Sequence, residues 1–246
     1  MKPYYQTDSG VLYHGDCLEI LPQLDPVDLI ITSPPYNLGN TTGGGFGDWG
    51  IWKSPDIMDG YDESIDNLPM DVYEEKQRKL LSAMWSTLSD SGAIYYNHKP
   101  RMRNKLLWSP TTLTDGLPLR QIIIWHRGGC INFSPTHYAP SCEWILLIAK
   151  NNFSLKNRSA SKDGDVWRFP PDTKNRHPAP FPIELPMRIL NTTSSKVVLD
   201  PHMGSGTTAV ACEKFNRKWI GIEISEKYCE LTAKRIDSET RQLKLF

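Results

Sequence analysis

Long apolar runs are missing from this chain. The longest strongly apolar stretch runs only from Trp144 to Ala149, far short of the roughly 20 residues that a bilayer-spanning helix needs. Met1 to Gly10 holds no apolar leader core, so the expectation is a cytoplasmic protein with no membrane partner. Cysteine is scarce: residues 17, 130, 142, 212 and 229 are an odd number, and no Cys-x-x-Cys spacing occurs. That argues against a disulfide framework and a zinc site, predicts no metal, and fits a reducing compartment. Net charge is absent too, with 28 basic and 28 acidic residues. Composition therefore does not announce a nucleic-acid binder. No internal repeat is visible.

The charges that are present are unevenly placed. Asp56 to Glu75 carries eight acidic residues and no Lys or Arg. Lys150 to Arg176 carries seven basic residues against three Asp. The basic stretch reads either as a modest phosphate-facing surface or as a solvated loop.

A chain of 246 residues suits one α/β domain with insertions. Strands are predicted over 11–16, 28–32, 93–97, 119–125, 143–149, 196–200 and 219–223. Helices are predicted over 17–24, 71–88, 102–108, 183–192, 207–215 and 226–238. The strands at 119–125 and 143–149 read as an antiparallel pair. Residues 37–69 hold Gly43-Gly44-Gly45, Trp49 and Trp52 and read as a long loop. Residues 150–176 read as an inserted loop region. Alternation of this kind implies a mostly parallel sheet wrapped by helices.

Three segments carry chemistry. Ser33-Pro34-Pro35-Tyr36 ends an apolar strand with a hydroxyl, two prolines that stop the ladder, and an aromatic ring. That set can hold a planar base by its amino group and stack on its face. Asp200-Pro201-His202-Met203-Gly204-Ser205-Gly206-Thr207 joins a strand to a helix through a Gly-rich turn, where a ligand can approach bare backbone N–H groups. No Lys follows the last Gly, so a phosphate-binding P-loop fits poorly. The next strand ends at Glu223, where doubly wound sheets grip ribose hydroxyls. His177 to Pro186, with four prolines and Phe181, forms a rigid lip before a helix.

Together these segments resemble the DNA amino-methyltransferases in their β permutation, which methylate an exocyclic base nitrogen with S-adenosylmethionine. The (S/D/N)PPY segment comes first and the DPFxGSGT segment late, and the likeness spans Leu12 to Lys234. The resemblance implies a Rossmann-like methyltransferase fold with a mostly parallel seven-stranded sheet, helices on both faces and circularly permuted motif order. It implies one catalytic domain over 1–246, with an insertion at about 37–69 and a short target-recognition region at about 150–176. Ser33, Pro34, Pro35 and Tyr36 become the catalytic set. Asp16, Cys17, Ser33, His177, Phe181, Pro182, Asp200, Pro201, Gly204, Ser205, Gly206, Thr207 and Glu223 become the cofactor set. His202 stands where the family usually carries Phe. Trp125 and Arg127, in Ile124 to Gly129, fall in the segment lining the target-base pocket. Arg158, Trp167, Phe169, Arg168, Lys174 and Arg176 are candidate DNA contacts in the basic stretch, while the loop from Asn37 to Trp52 could close over the flipped base. Arg101, Arg103 and Lys105 read either as phosphate contacts or as the solvated face of a helix.

The amino nitrogen of a base is a poor nucleophile because its lone pair is delocalised into the ring. Ser33 Oγ and the Pro34 carbonyl can each accept one of its hydrogen bonds and orient that lone pair toward a methyl sulfonium. The base must leave the duplex to reach them. No Pro-Cys dipeptide occurs, so the covalent route of ring-carbon cytosine methylases is not expected. In the family Ser in first place goes with cytosine N4 and Asp with adenine N6. Cytosine N4 is therefore the expected target, with adenine N6 as the alternative and a non-catalytic DNA-binding relic ranked lower. RNA or protein-amide methylation and nucleotide-dependent dehydrogenation fit the motif order less well. Double-stranded DNA is the expected partner, in a prokaryotic or phage-encoded, nucleoid-associated setting. A homodimer and a cognate restriction endonuclease are left open.

Overall fold

The structure is a computed structural model that describes residues 1–37, 67–129, 134–172 and 180–243. Eleven strands and five α-helices order these residues. In chain order they are β1 (Tyr5–Gln6), β2 (Gly10–His14), α1 (Cys17–Ile20), β3 (Val27–Thr32), α2 (Met70–Thr87), β4 (Leu88–His98), β5 (Arg101–Arg103), β6 (Leu106–Trp108), β7 (Leu119–His126) and β8 (Cys142–Ala149). They continue as β9 (Val166–Arg168), α3 (Glu184–Thr192), β10 (Val197–Asp200), α4 (Thr207–Lys214), β11 (Lys218–Glu223) and α5 (Glu226–Leu243).

Nine strands form one sheet in the order β1-β2-β11-β10-β3-β4-β8-β7-β9. The five from β2 to β4 are parallel, β8 runs against both of its neighbours, and β9 runs parallel to β7. The expected seven strands are all present, and the predicted antiparallel pair is β7 with β8. The count of seven is corrected to nine among the described residues. The additions, β1 and β9, are two and three residues long, too short to leave a periodic signal in the sequence.

Alternation sorts the strand side chains onto two faces. Leu29, Ile31, Tyr95, Ile145, Leu147, Val198 and Trp219 pack beneath α3, α4 and α5. Val27, Ile30, Ile94, Tyr96, Leu146, Leu199 and Ile222 pack against α1 and α2. α2 supplies Leu80, Leu81 and Met84 from one face, whereas α4 is buried from Thr207 to Cys212. Its small residues let it lie close to the sheet. Asp28 ties strand starts together: its Oδ2 accepts from Lys196 N (2.8 Å) and Val197 N (3.1 Å), and its Oδ1 accepts from Ser89 Oγ (3.4 Å).

One predicted element is wrong in kind. Residues 102–108 are not a helix; β5 and β6 form a separate two-stranded hairpin with Arg103 opposite Leu106. Asn104 and Lys105 both take positive φ, 49° and 65°. Two such residues make the primed turn whose twist suits adjoining antiparallel strands. Leucines at 106 and 107 imitated a helical stripe, yet they are 73% and 61% exposed. The hairpin is anchored instead by Trp108, which packs on the core beside Tyr73 and His98.

Candidate active site

Connections from β3 run outward to β4, and those from β10 run outward to β11, although β3 and β10 are neighbours. The sheet therefore switches direction between them, and the crevice beyond their carboxyl ends is where such sheets bind ligands. Ser33 follows β3 and Asp200 ends β10, so the two principal motifs flank that crevice. Asp16 after β2, Glu223 at the end of β11, and Asn97 and His98 at the end of β4 come to the same edge. Because β8 is reversed, its first residues reach this edge too: Glu143 lies opposite Trp125, and Trp144 opposite His98.

On the Gly-rich side, Gly204 and Gly206 take φ of 54° and 80°. A Cβ on Gly206 would lie 2.9 Å from Thr232 Cγ2, so glycine is required there on two counts. Glu223 is buried and holds the turn open: Oε2 accepts from Gly204 N (2.8 Å) and Oε1 from Ser225 N (2.9 Å). Each oxygen keeps a further lone pair for a ligand hydroxyl. Burial pushes the Glu223 carboxyl above its ordinary value. Asp200 caps the same turn through His202 N (3.1 Å) and Thr208 Oγ1 (2.7 Å), and burial pushes it up to about 7. His202 sits between Thr32 Oγ1 (3.5 Å) and Cys17 Sγ (3.9 Å), and burial pushes it down to about 4.

Several polar groups of the turn are already engaged. Arg235 Nη1 on α5 donates to Ser205 O (3.0 Å) and Thr207 Oγ1 (3.0 Å), while Thr232 Oγ1 donates to Gly204 O (2.7 Å). Asp16 caps α1 by accepting from Leu18 N at 2.8 Å. Phe181 is half-buried against the α3 face of the core, and Pro182 is buried just before α3. His177 lies outside the described residues.

On the other side, Ser33-Pro34-Pro35-Tyr36 is held by side chains the sequence did not reveal. Ser33 Oγ lies 2.7 Å from Tyr36 Oη. Tyr36 Oη donates to Glu143 Oε2 at 3.0 Å. Asn97 Nδ2 donates to Tyr36 Oη (2.6 Å) and to Glu143 Oε2 (3.0 Å), and lies 3.4 Å from Ser33 Oγ. Arg127 Nη1 pairs with Glu143 Oε1 at 3.0 Å. The Asn97 amide must face the carboxylate with its nitrogen, which leaves Oδ1 buried and without a hydrogen-bond partner among the described residues.

His98 supports Tyr36 from behind, with ring centroids 4.6 Å apart and planes at 31°. Its Nδ1 lies 3.2 Å from Lys99 O, and its Nε2 faces the Tyr73 hydroxyl. That hydroxyl also lies 3.1 Å from Pro35 O. Burial pushes His98 down to about 3, so the ring is neutral. Asn37 exchanges two hydrogen bonds with Leu68, and Arg101 Nη1 donates to Asn37 O at 2.8 Å. Arg101 also covers the Trp108 ring, while Arg103 and Lys105 are exposed on the hairpin.

The candidate DNA contacts divide sharply. Trp125 and Trp167 are interior side chains, 3% and 6% exposed, with indole N–H groups bound to Phe169 O and Gly164 O. Alternation along β7 and β9 turns them toward α3, which corrects the expectation that they meet DNA. Phe169 is partly buried beneath Arg188. Arg168 is exposed and lies opposite His126 at the active edge. Arg158 is exposed at the other edge, because β8 carries the chain away to Ala149 and Lys156 N then binds Thr192 O at the end of α3. The described part of 150–172 therefore reaches both edges of the sheet. Lys174, Arg176, Trp49 and Trp52 lie outside the described residues.

Asn97 and Glu143 were the main omissions. Each is a lone polar residue within an apolar strand, Ala93 to Asn97 and Glu143 to Ala149. That was the signal available, but nothing in the sequence says the two strands are neighbours.

Such a crevice, with a Gly-rich turn and strand-tip carboxylate on one side and a rigid hydroxyl-bearing loop on the other, defines a Rossmann-like nucleotide-cofactor enzyme. A family model of N6/N4 DNA methylases matches residues 27–234. The chain belongs to that family. It is 28% identical to the type II methyltransferase M.ScaI of Streptomyces caespitosus, over 98% of this chain and 86% of that protein. It is also 28% identical to M2.MboI of Moraxella bovis, over 99% and 94%. Its fold is similar to that of the solved PvuII DNA methyltransferase, described as cytosine-N4-specific, with a TM-score of 0.72 and 18% identity over 98% of this chain and 94% of that one.

Proposed function

We propose that this DNA methylase transfers a methyl group from S-adenosylmethionine to the exocyclic N4 of a cytosine turned out of double-stranded DNA. The observation that carries the reading is Ser33, an uncharged hydroxyl at the switch-point crevice, fixed 2.7 Å from Tyr36 Oη. The residues present fit the cofactor: two φ-positive glycines open the turn, and Glu223 and Asp16 bring carboxylates to adjacent strand tips. When bound, the cofactor supplies an electrophilic methyl on sulfur.

The chain's own residues do the rest. Ser33 Oγ and the Pro34 carbonyl accept the two amino hydrogens and so turn the nitrogen lone pair toward the donor. Tyr36 stacks on the base. No residue forms a covalent bond to the ring. Arg127 and Arg168 stand at the same edge to meet the DNA. A cognate endonuclease and a homodimer remain proposals that follow from the family rather than from this site.

The test is direct. Incubation with unmethylated genomic DNA and tritiated S-adenosylmethionine, followed by digestion to nucleosides, should place the label in N4-methylcytosine. Label in N6-methyladenine would overturn the choice of base, and an absence of label in DNA would overturn the reaction.

A further inference from the structure

We infer that Glu143 is a positioning residue that sets the direction of the hydrogen bonds running through Tyr36, so that Ser33 Oγ donates to Tyr36 and can only accept from the amino group of the base. The inference deepens the reaction proposed above and rests on it. The chain of contacts is Arg127, Glu143, Tyr36 and Ser33, with Asn97 bracing the middle two.

Direction follows from counting protons. Glu143, ion-paired to Arg127 through Oε1 at 3.0 Å, is an acceptor on both oxygens. Its Oε2 lies 3.0 Å from Tyr36 Oη, so the single phenolic proton points at the carboxylate. Asn97 Nδ2 has only hydrogens to offer, and it gives them to Tyr36 Oη (2.6 Å) and Glu143 Oε2 (3.0 Å). Tyr36 therefore has no proton left for Ser33, and the 2.7 Å contact between the two hydroxyls is donated by Ser33. That commits the one hydroxyl proton of Ser33 and leaves its lone pairs for the amino group of the base.

The requirement is chemical. A serine hydroxyl facing an amine can either donate or accept. Donation to the nitrogen would occupy the lone pair that must attack the methyl group. Acceptance frees it. A carboxylate in the place of Ser33 would accept without help, whereas a hydroxyl needs its proton drawn away. The relay does this without proton transfer: no bond breaks, and Glu143 touches neither base nor donor. Its reach is set by tertiary structure, since Glu143 is the second residue of the reversed strand β8 and stands opposite Trp125.

Glu143→Gln replaces one acceptor oxygen by a donor and lets the Tyr36 proton turn back toward Ser33. The expected result is a kcat lower by about ten- to a hundredfold, the span of one charge-assisted hydrogen bond. Affinities for S-adenosylmethionine and for DNA should stay within about twofold by the same scale. In a Ser33→Ala background the same substitution should cost less than about twofold more, because both changes act through one hydroxyl. Glu143→Asp, which keeps the charge but withdraws it from Tyr36, runs the same cycle if Glu143→Gln does not fold. Equal losses in the two backgrounds, or an unchanged kcat, would overturn the relay. So would a loss confined to binding. A wild-type protein that labels no base would overturn the proposed reaction and the relay together; labelled wild type with additive losses would overturn the relay alone.

Discussion

His202 shows how much a single side chain can decide. Burial pushes it down to about 4 from an ordinary 6.5, so between those values the unfolded chain binds a proton that the folded chain refuses. Stability contributed by neutral His202 is therefore lost as pH falls from 6.5 toward 4, by at most about 1.4 kcal/mol per pH unit. His98, pushed down to about 3, acts with the same sign. Asp200, pushed up to about 7, acts oppositely: its stabilisation is present below the ordinary carboxylate range and lost as pH rises through 7. Among the described residues the His202 ring makes only long polar contacts, 3.5 Å to Thr32 and 3.9 Å to Cys17, so Phe should fit. His202→Phe should make the urea midpoint less sensitive to pH between 6.5 and 5 than in the wild type. Parallel curves would show that His202 titrates in the folded protein as it does unfolded.

At the scale of elements, periodicity located nearly every strand and helix of the sheet, because apolar burial on two faces imposes it. It failed at β5 and β6, where apolar residues are exposed and the turn governs. Lys105 sits at φ 65°, a conformation that costs a β-carbon-bearing residue about 1–2 kcal/mol. Lys105→Gly creates the Asn-Gly pair that primed turns favour. It should raise stability by about 1 kcal/mol and the melting temperature by about 2–4 °C. Unchanged melting would mean that the hairpin opens independently of the body. The motif loops were legible for a related reason. Prolines at 34 and 35 and glycines at 204 and 206 impose backbone shapes that no other residues supply, so their chemistry shows in the chain itself.

Across the whole molecule, the sheet's polarity decides which charges can meet DNA. Arg168 returns to the active edge through β9, whereas Arg158 stays at the far edge beside the end of α3. With no net charge to draw on, binding must rely on such local cations. Arg168→Ala should weaken DNA binding and reduce the slope of log K against log salt by about 1. Arg158→Ala should leave both unchanged. Fluorescence titrations over a salt series separate these outcomes, and equal effects of the two substitutions would mean that DNA wraps both edges. By itself the sequence determined the strand–helix alternation, the crevice-forming turns and the family, since each is written in local spacing or backbone constraint. Tertiary structure alone decided that Asn97, Glu143 and Arg127 connect to Ser33 through Tyr36, that Trp125 and Trp167 face inward, and that the described part of the basic stretch is split between two edges. Those outcomes depend on which strands are neighbours and which one is reversed, and pairing between distant segments leaves no periodic trace along the chain.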